Sequence, residues 1–378
     1  MNKNPLVWKR FLYRQMAVDF AKQNLTPLHF SAMAFKIRKP SLKWRSNEMY
    51  NSRTDLAIEA HDILINSSSV NEDIPGIRVE DEVVEDSIKI TRVRVETDEA
   101  SDMLGKDKGN YVTLEIPRHM GNEQKIYESI CRAVAREFEK IIHLKPDDTV
   151  LIVGLGNWNI TADSLGPKVV EEVMITRHLL EHMPEEVQDG VRPVCAISPG
   201  VLGLTGVETS EITTGLVERV KPAMVIAIDA LCARNIERIN TTIQIADTGI
   251  TPGSGIGNKR IPLNQKTLGV PVIAVGVPTV VDAATIADDS IELVLSLLRD
   301  DLENSGFETR AGFEFIDSIK REDRYEMIKK VISPLVGDMI VAPKDVDESV
   351  AEVAAVVANG LNISLHAGIG LDDIDRYR

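Results

Sequence analysis

Two aspartates of this 378-residue chain stand where short apolar runs end. Asp163 closes Thr149-Val-Leu-Ile-Val-Gly-Leu-Gly-Asn-Trp-Asn-Ile-Thr-Ala-Asp163, and Asp229 closes Ala223-Met-Val-Ile-Ala-Ile-Asp229. Each run has the composition of a strand buried on both faces, and open α/β sheets bind ligands outside the carboxyl ends of such strands. Two carboxylates that meet there cannot both ionise easily, so they share a proton and can activate a water. A plainer role exists for each: Asp163 precedes Leu165-Gly-Pro167 and suits a helix N-cap, and Asp229 suits the end of a strand. Position alone leaves both readings open.

Other candidate chemistry is weaker. Gly154-Leu-Gly156-Asn157 follows a strand and precedes a helix, but Asn159 occupies the place where a dinucleotide fingerprint needs a small residue. Gly253-Ser254-Gly255-Ile-Gly257-Asn258-Lys259-Arg260 lacks the Gly-Lys-Ser/Thr ending of a phosphate loop. It reads as a flap or a backbone-rich groove wall, or as an ordinary glycine turn. Asp247-Thr-Gly249 matches the tripeptide of pepsin-like proteases, which use it twice on an all-β scaffold that this chain does not suggest. His178 and His182 stand at i, i+4 without the glutamate of a zinc-protease helix, and Ser198 and Ser254 lack a nucleophile elbow.

The elements that must position the aspartates follow from periodicity. Ile88–Glu96 and Asn110–Pro117 read as strands around the polar stretch 97–109, which predicts a hairpin. Ile126, Ile130, Val134, Phe138 and Ile141 mark one face of a helix. Strands over 149–153, 193–197, 223–228 and 268–275 alternate with helices over about 165–182, 208–220 and 281–298. A last helix spans 345–361. This alternation predicts an α/β fold: a mostly parallel, doubly wound sheet flanked by helices, with an added β-hairpin region near the N-terminus.

The net charge of −15 argues against nucleic-acid or anionic-membrane partners. Three scattered cysteines without a CxxC pair fit a reducing compartment, and no apolar run has the length of a membrane span. Residues 1–48 differ from the rest: they carry a net +8 and two of the three tryptophans, Trp8 and Trp44. They read as a basic amphipathic arm, a disordered leader, or the product of an upstream start codon that the cell does not use.

In combination, these segments resemble the germination protease family. The resemblance rests on Ser52-Arg53-Thr54-Asp55-Leu56-Ala57-Ile58-Glu59-Ala60, Gly154-Leu-Gly-Asn157, Thr161-Ala-Asp163-Ser-Leu-Gly-Pro167, Ser198-Pro-Gly-Val-Leu-Gly-Leu-Thr-Gly206, Ile228-Asp229-Ala-Leu231 and Asp247-Thr-Gly-Ile-Thr-Pro-Gly-Ser-Gly-Ile-Gly-Asn-Lys-Arg260. Gly-x-Gly-Asn followed by an acidic residue and Gly is also similar to the hydrogenase maturation proteases. The resemblance implies an atypical aspartic endopeptidase without a cofactor, acting on small acid-soluble spore proteins in the spore core (cytoplasmic) during germination. It places the two essential aspartates on Asp163 and Asp229. It further implies a homotetrameric zymogen that removes its own propeptide by a cut near Tyr50, Asn51, Ser52 and Arg53. The implied division is a basic extension over 1–48, a propeptide end over 49–52 and one protease domain over 53–378. Backbone amides around Gly154, Gly156 and Asn157, and around Gly253, Ser254 and Gly255, are expected to bind substrate or stabilise the oxyanion. The more distant relatives hold nickel through the equivalent acidic pair, which leaves a nickel- or zinc-dependent protease as the alternative.

Overall fold

The computed structural model describes residues 54–67, 74–85, 88–118, 124–187, 189–253, 260–305, 321–336 and 339–377. All of them fall within one compact unit, Ser52–Arg378. The predicted extension and the Tyr50–Arg53 cut region lie outside the described residues, as do Ser254 and Gly255. The strands are β1 (Ile77–Val84), β2 (Ile88–Val95), β3 (Gly109–Glu115), β4 (Val150–Gly154), β5 (Val194–Ile197), β6 (Met224–Ala233), β7 (Thr242–Ala246), β8 (Val272–Asp282) and β9 (Ile340–Val341). The main helices are α1 (Ala57–Ser67), α2 (Asp98–Leu104), α3 (Gln124–Ile141), α4 (Leu165–Glu172), α5 (Arg177–His182), α6 (Thr209–Val220), α7 (Ala283–Ser305), α8 (Arg321–Val336) and α9 (Val346–Leu365).

The strands form one mixed sheet in the order β1-β2-β3-β7-β8-β6-β4-β5, with β9 paired to the end of β8. Strands β8, β6, β4 and β5 run parallel, and the ladders on the other side of β8 are antiparallel. This is the α/β sheet flanked by helices expected from the alternation. Its antiparallel part is wider than one hairpin. Strand β1 escaped sequence reading because six of its eight residues are Arg, Glu, Asp or outward Val, as befits an exposed edge strand. Strand β2 does pair with β3, but the expected turn contains α2, capped by the Thr97 hydroxyl and by Gly105 in the left-handed region.

Side chains sort by period two onto the faces. Val150, Ile152, Ile226, Ile228, Ile273 and Val275 meet α3, α4 and α9 in one core. Leu151, Val153, Val225 and Ala227 meet Val217 of α6 in the other. The predicted helix over 165–182 is two helices. Val173 turns extended, and the next N–H, of Met174, donates to Asn362 Oδ1 on α9 at 2.8 Å. Strands β6 and β8 run further than expected, because beyond the end of β4 they pair with each other as far as Ala233 and Val281.

Helix α4 starts in backbone contact with β4. A Cβ on Gly154 would lie 2.3 Å from the Gly166 carbonyl, and one on Gly166 would lie 2.3 Å from the Leu155 carbonyl. Gly154→Ala should therefore lower stability by about 1–3 kcal/mol through overpacking that backbone cannot relieve. Gly215→Ala in α6, where a Cβ meets nothing within 4 Å, should raise stability by up to about 1 kcal/mol. Chemical denaturation of the two variants checks both signs.

Candidate active site

The route of the chain creates a crevice at one place in the sheet. From β4 the chain crosses to β5 through α4 and α5, and from β5 to β6 through α6 on the opposite face. The strand order therefore reverses between β4 and β6, and the carboxyl ends of two such strands form the usual ligand crevice. Asp163 lies in the loop after β4. Asp229 lies on β6, one residue past the last residue paired to β4.

The loop that carries Asp163 is closed on itself. Gly156 adopts φ +111°, and a Cβ there would sit 2.0 Å from the Asp163 carbonyl oxygen. The Asn157 N–H donates to that carbonyl at 2.8 Å, and the Asp163 N–H donates to Ile160 at 2.8 Å. Thr279 of β8, fully buried, donates its hydroxyl to the Ala162 carbonyl at 2.5 Å. Asp163 ends a short 3₁₀ turn, and Ser164, not Asp163, takes the cap position of α4 without a side-chain cap bond. The helix-capping alternative for Asp163 therefore does not apply.

Asp229 is 7% exposed and follows the face of Val225 and Ala227 by strand alternation. Its Oδ1 accepts from the Ala230 N–H at 2.9 Å. Strand β6 does not stop there, so Asp229 is interior to a strand rather than its end. Burial raises its carboxyl well above the usual range, and the charges of Asp163 and then Asp55 raise it further, against the Ala230 N–H and Arg260. Burial likewise raises Asp163 to about 6, against the Asn157 N–H and Arg260. The charge of Asp163 thus acts on Asp229, with Arg260 as the cation that both feel. Environments that push two carboxyls to different pKa values are the pattern of an acid–base pair.

Of the two glycine loops, residues 154–157 are described throughout and 253–255 only at Gly253. Gly154 and Gly156 bring backbone against Gly166 and Asp163, and the Asn157 N–H is already engaged by Asp163. The Asn157 amide is thereby taken up in closing the loop that carries the carboxylate. Gly253 adopts φ +70° at the start of the second loop. Asp247 lies just past the end of β7, three residues from Gln244, which is level with Gly276 and hence with Asp229. It accepts from the Asn110 backbone and side-chain N–H groups. His178 and His182 stay on α5. Among the described residues no group of three His, Cys, Asp or Glu side chains is arranged to hold a metal ion. Sequence reading missed Arg260, Asp55 and Thr279 as neighbours of the pair. For Asp55 and Arg260 the only sequence signal was membership of the quoted segments, and Thr279 had none, since each reaches the site from a distant part of the chain.

The profile of the germination protease family matches residues 57–315 and 297–378. The germination protease of Clostridium perfringens is 45% identical over 329 residues, spanning 87% of this chain and 99% of its own. That of Clostridium acetobutylicum is 46% identical over 333 residues, covering 87% and 99%. That of Bacillus cytotoxicus is 43% identical over 358 residues, covering 87% and 97%. Among solved structures, the [NiFe] hydrogenase maturation protease HycI from Thermococcus kodakarensis aligns with a TM-score of 0.26 and 21% identity, over 38% of this chain and 80% of its own. No helix among the described residues is long and apolar enough to cross a membrane.

Raised carboxyl pKa values have a consequence for stability. Between the ordinary value of 3.8 and about 6 the folded chain holds a proton on Asp163 that the unfolded chain has lost, so this residue's contribution falls as pH rises through that window. Asp229 extends the loss to higher pH. Asp163→Asn and Asp229→Asn should each melt at a higher temperature than the wild type at pH 8, with the gap closing near pH 4. Thermal melts across pH check this, and carboxylates with a purely structural role would give lower melting temperatures instead.

Proposed function

The chain belongs to the germination protease family, and on that premise we propose that it is an atypical aspartic endopeptidase in which Asp163 and Asp229 activate one water. The observation that carries this reading is that Asp163 follows β4 and Asp229 lies on β6 at the crevice between these strands, where the charge of Asp163 raises the Asp229 carboxyl. Above about pH 6 Asp163 is ionised while the more deeply buried Asp229 keeps its proton. Asp163 is then the base and Asp229 the acid, although a coupled pair titrates jointly and its apparent values belong to the pair.

The steps balance in protons. Asp163 takes a proton from the water as its oxygen attacks the scissile carbonyl carbon, and Asp229 donates its proton to the carbonyl oxygen. As the tetrahedral intermediate collapses, the C–N bond breaks and the amine nitrogen takes the proton held by Asp163. Asp229 recovers its proton from the reforming carboxyl group. Arg260 opposes double protonation of the pair, which would leave no base.

The proposed substrates are small acid-soluble spore proteins, cleaved in the spore core by a homotetramer. The proposed self-cleavage near Tyr50–Arg53 is supported by chain reach. Asp55 is close enough to Asp229 for its charge to act there, and five extended residues span at most about 18 Å. An incubation of purified protein with a small acid-soluble spore protein, read by mass spectrometry, tests the activity. Asp163→Asn and Asp229→Asn should each reduce cleavage by at least about 10²–10⁴-fold, and the wild-type rate should rise through about pH 6 as Asp163 ionises. A fully active Asp163→Asn protein overturns the pair. Light scattering should give four times the chain mass for the wild type and for both variants.

A further inference from the structure

Immediately downstream of the proposed cut, the segment 54–59 is fixed by polar contacts to the far end of β6. The Asp55 N–H donates to the Cys232 carbonyl at 3.1 Å, and the Cys232 N–H donates to Asp55 Oδ2 at 3.0 Å. This reciprocal pair forms where the β6–β8 register shifts between Leu231 and Cys232. The Gln244 side chain accepts from the Ala57 N–H at 2.7 Å and donates to the Asp55 carbonyl at 3.3 Å. Lys106 Nζ donates to the same carbonyl at 2.8 Å. Glu59, 4% exposed, accepts from the Arg234 and Asn235 N–H groups at 2.7 and 2.8 Å. Leu56 and Ile58 pack beneath against Leu231 and Ala233.

Backbone contacts and apolar burial alone would anchor this segment. They do not require a carboxylate at its second described residue, three positions along β6 from Asp229 and bound to it through Cys232. We propose that Asp55 is a positioning residue of the catalytic pair: held by the Cys232 N–H, it keeps a negative charge beside Asp229 and so favours the form in which Asp229 is the acid and Asp163 the base. This rests on the pair mechanism proposed above. The groups facing this cluster are Asp163 after β4, Arg260 from the loop before Leu263, and Lys106 after α2. Of the two other carboxylates, Asp163 acts more strongly on Asp229 than Asp55 does, and Arg260 opposes both. Removal of the Asp55 charge should then make Asp229 lose its proton at lower pH.

The test is the pH profile of kcat for the full chain acting on a small acid-soluble spore protein, in wild type, Asp55→Asn, Asp55→Glu and Asp163→Asn. Asparagine keeps an oxygen that can accept from the Cys232 N–H but carries no charge. Its alkaline limb should move to lower pH by about 0.5–1 unit, a threefold to tenfold loss on that side, with the acid limb and KM unchanged. Asp55→Glu should return the limb towards the wild-type position. A folded Asp55→Asn protein with an unmoved alkaline limb, or a shift that glutamate does not restore, overturns the proposal. An unfolded Asp55→Asn protein alongside an Asp55→Glu protein with the wild-type profile also overturns it, by assigning Asp55 to the fold alone. If Asp163→Asn is active, the pair mechanism itself fails. If it is inactive and only the Asp55 expectation fails, the pair stands and the role of Asp55 does not.

Discussion

Asp229 sits on an inner strand of the sheet, beside a second carboxylate and within reach of a third, and the free-energy cost of ionising it there governs the rest of the site. Buried carboxyls in mutual range keep a proton that an exposed aspartate would lose. The strand cannot relieve the cost by moving, because β6 is paired to β4 as far as Ile228 and to β8 beyond it, with Ile228 and Ala227 in opposite cores. The cost is offset by well-packed apolar surface elsewhere in the sheet. A site of this kind lowers stability so that a proton is retained where chemistry needs it.

Holding a second carboxylate opposite the first demands a loop with little freedom. The Gly154–Gly166 contact sets helix α4 directly on strand β4, closer than any side chain would allow. Gly156 then turns the chain back so that the Asp163 carbonyl lies against its own backbone, and the Asn157 N–H and the Thr279 hydroxyl complete the closure. The glycines and Asn157 fix the path of the loop that carries one side chain. Preorganised geometry of this type is what allows a weak base to act at a single point in the transition state.

The N-terminal part of the protease unit is bound into the same site. Residues 54–59 hold β6 through Cys232, Arg234 and Asn235, and Arg234 continues to Asp289 and Asp288 of α7. Arg324 of α8 meets Asp288 and Glu292 in turn. The segment that follows the proposed cut is thus tied through Arg234 and its ion pairs to α7 and α8. Whatever happens upstream of Thr54 acts on a segment already fastened to the strand that carries Asp229.

Much of this was legible in the sequence for local reasons. All-apolar runs bounded by polar turns identified β4, β5 and β6, since burial on both faces leaves no other composition, and a 3.6-residue apolar period identified α3. The two aspartates stood out because a carboxylate after such a run is costly without a purpose. Strand β1 did not stand out, because an edge strand exposes one whole side and loses the apolar pattern that period reading needs. Nor could sequence spacing place Asp55, Arg260 and Thr279 around Asp163 and Asp229. They come from five separate stretches, and only the order β8-β6-β4 and the crossing of segment 54–59 over β6 bring them together. Residue types and strand ends are written in local composition, whereas proximity and the resulting proton affinities arise from packing between distant segments, and so belong to the tertiary structure alone.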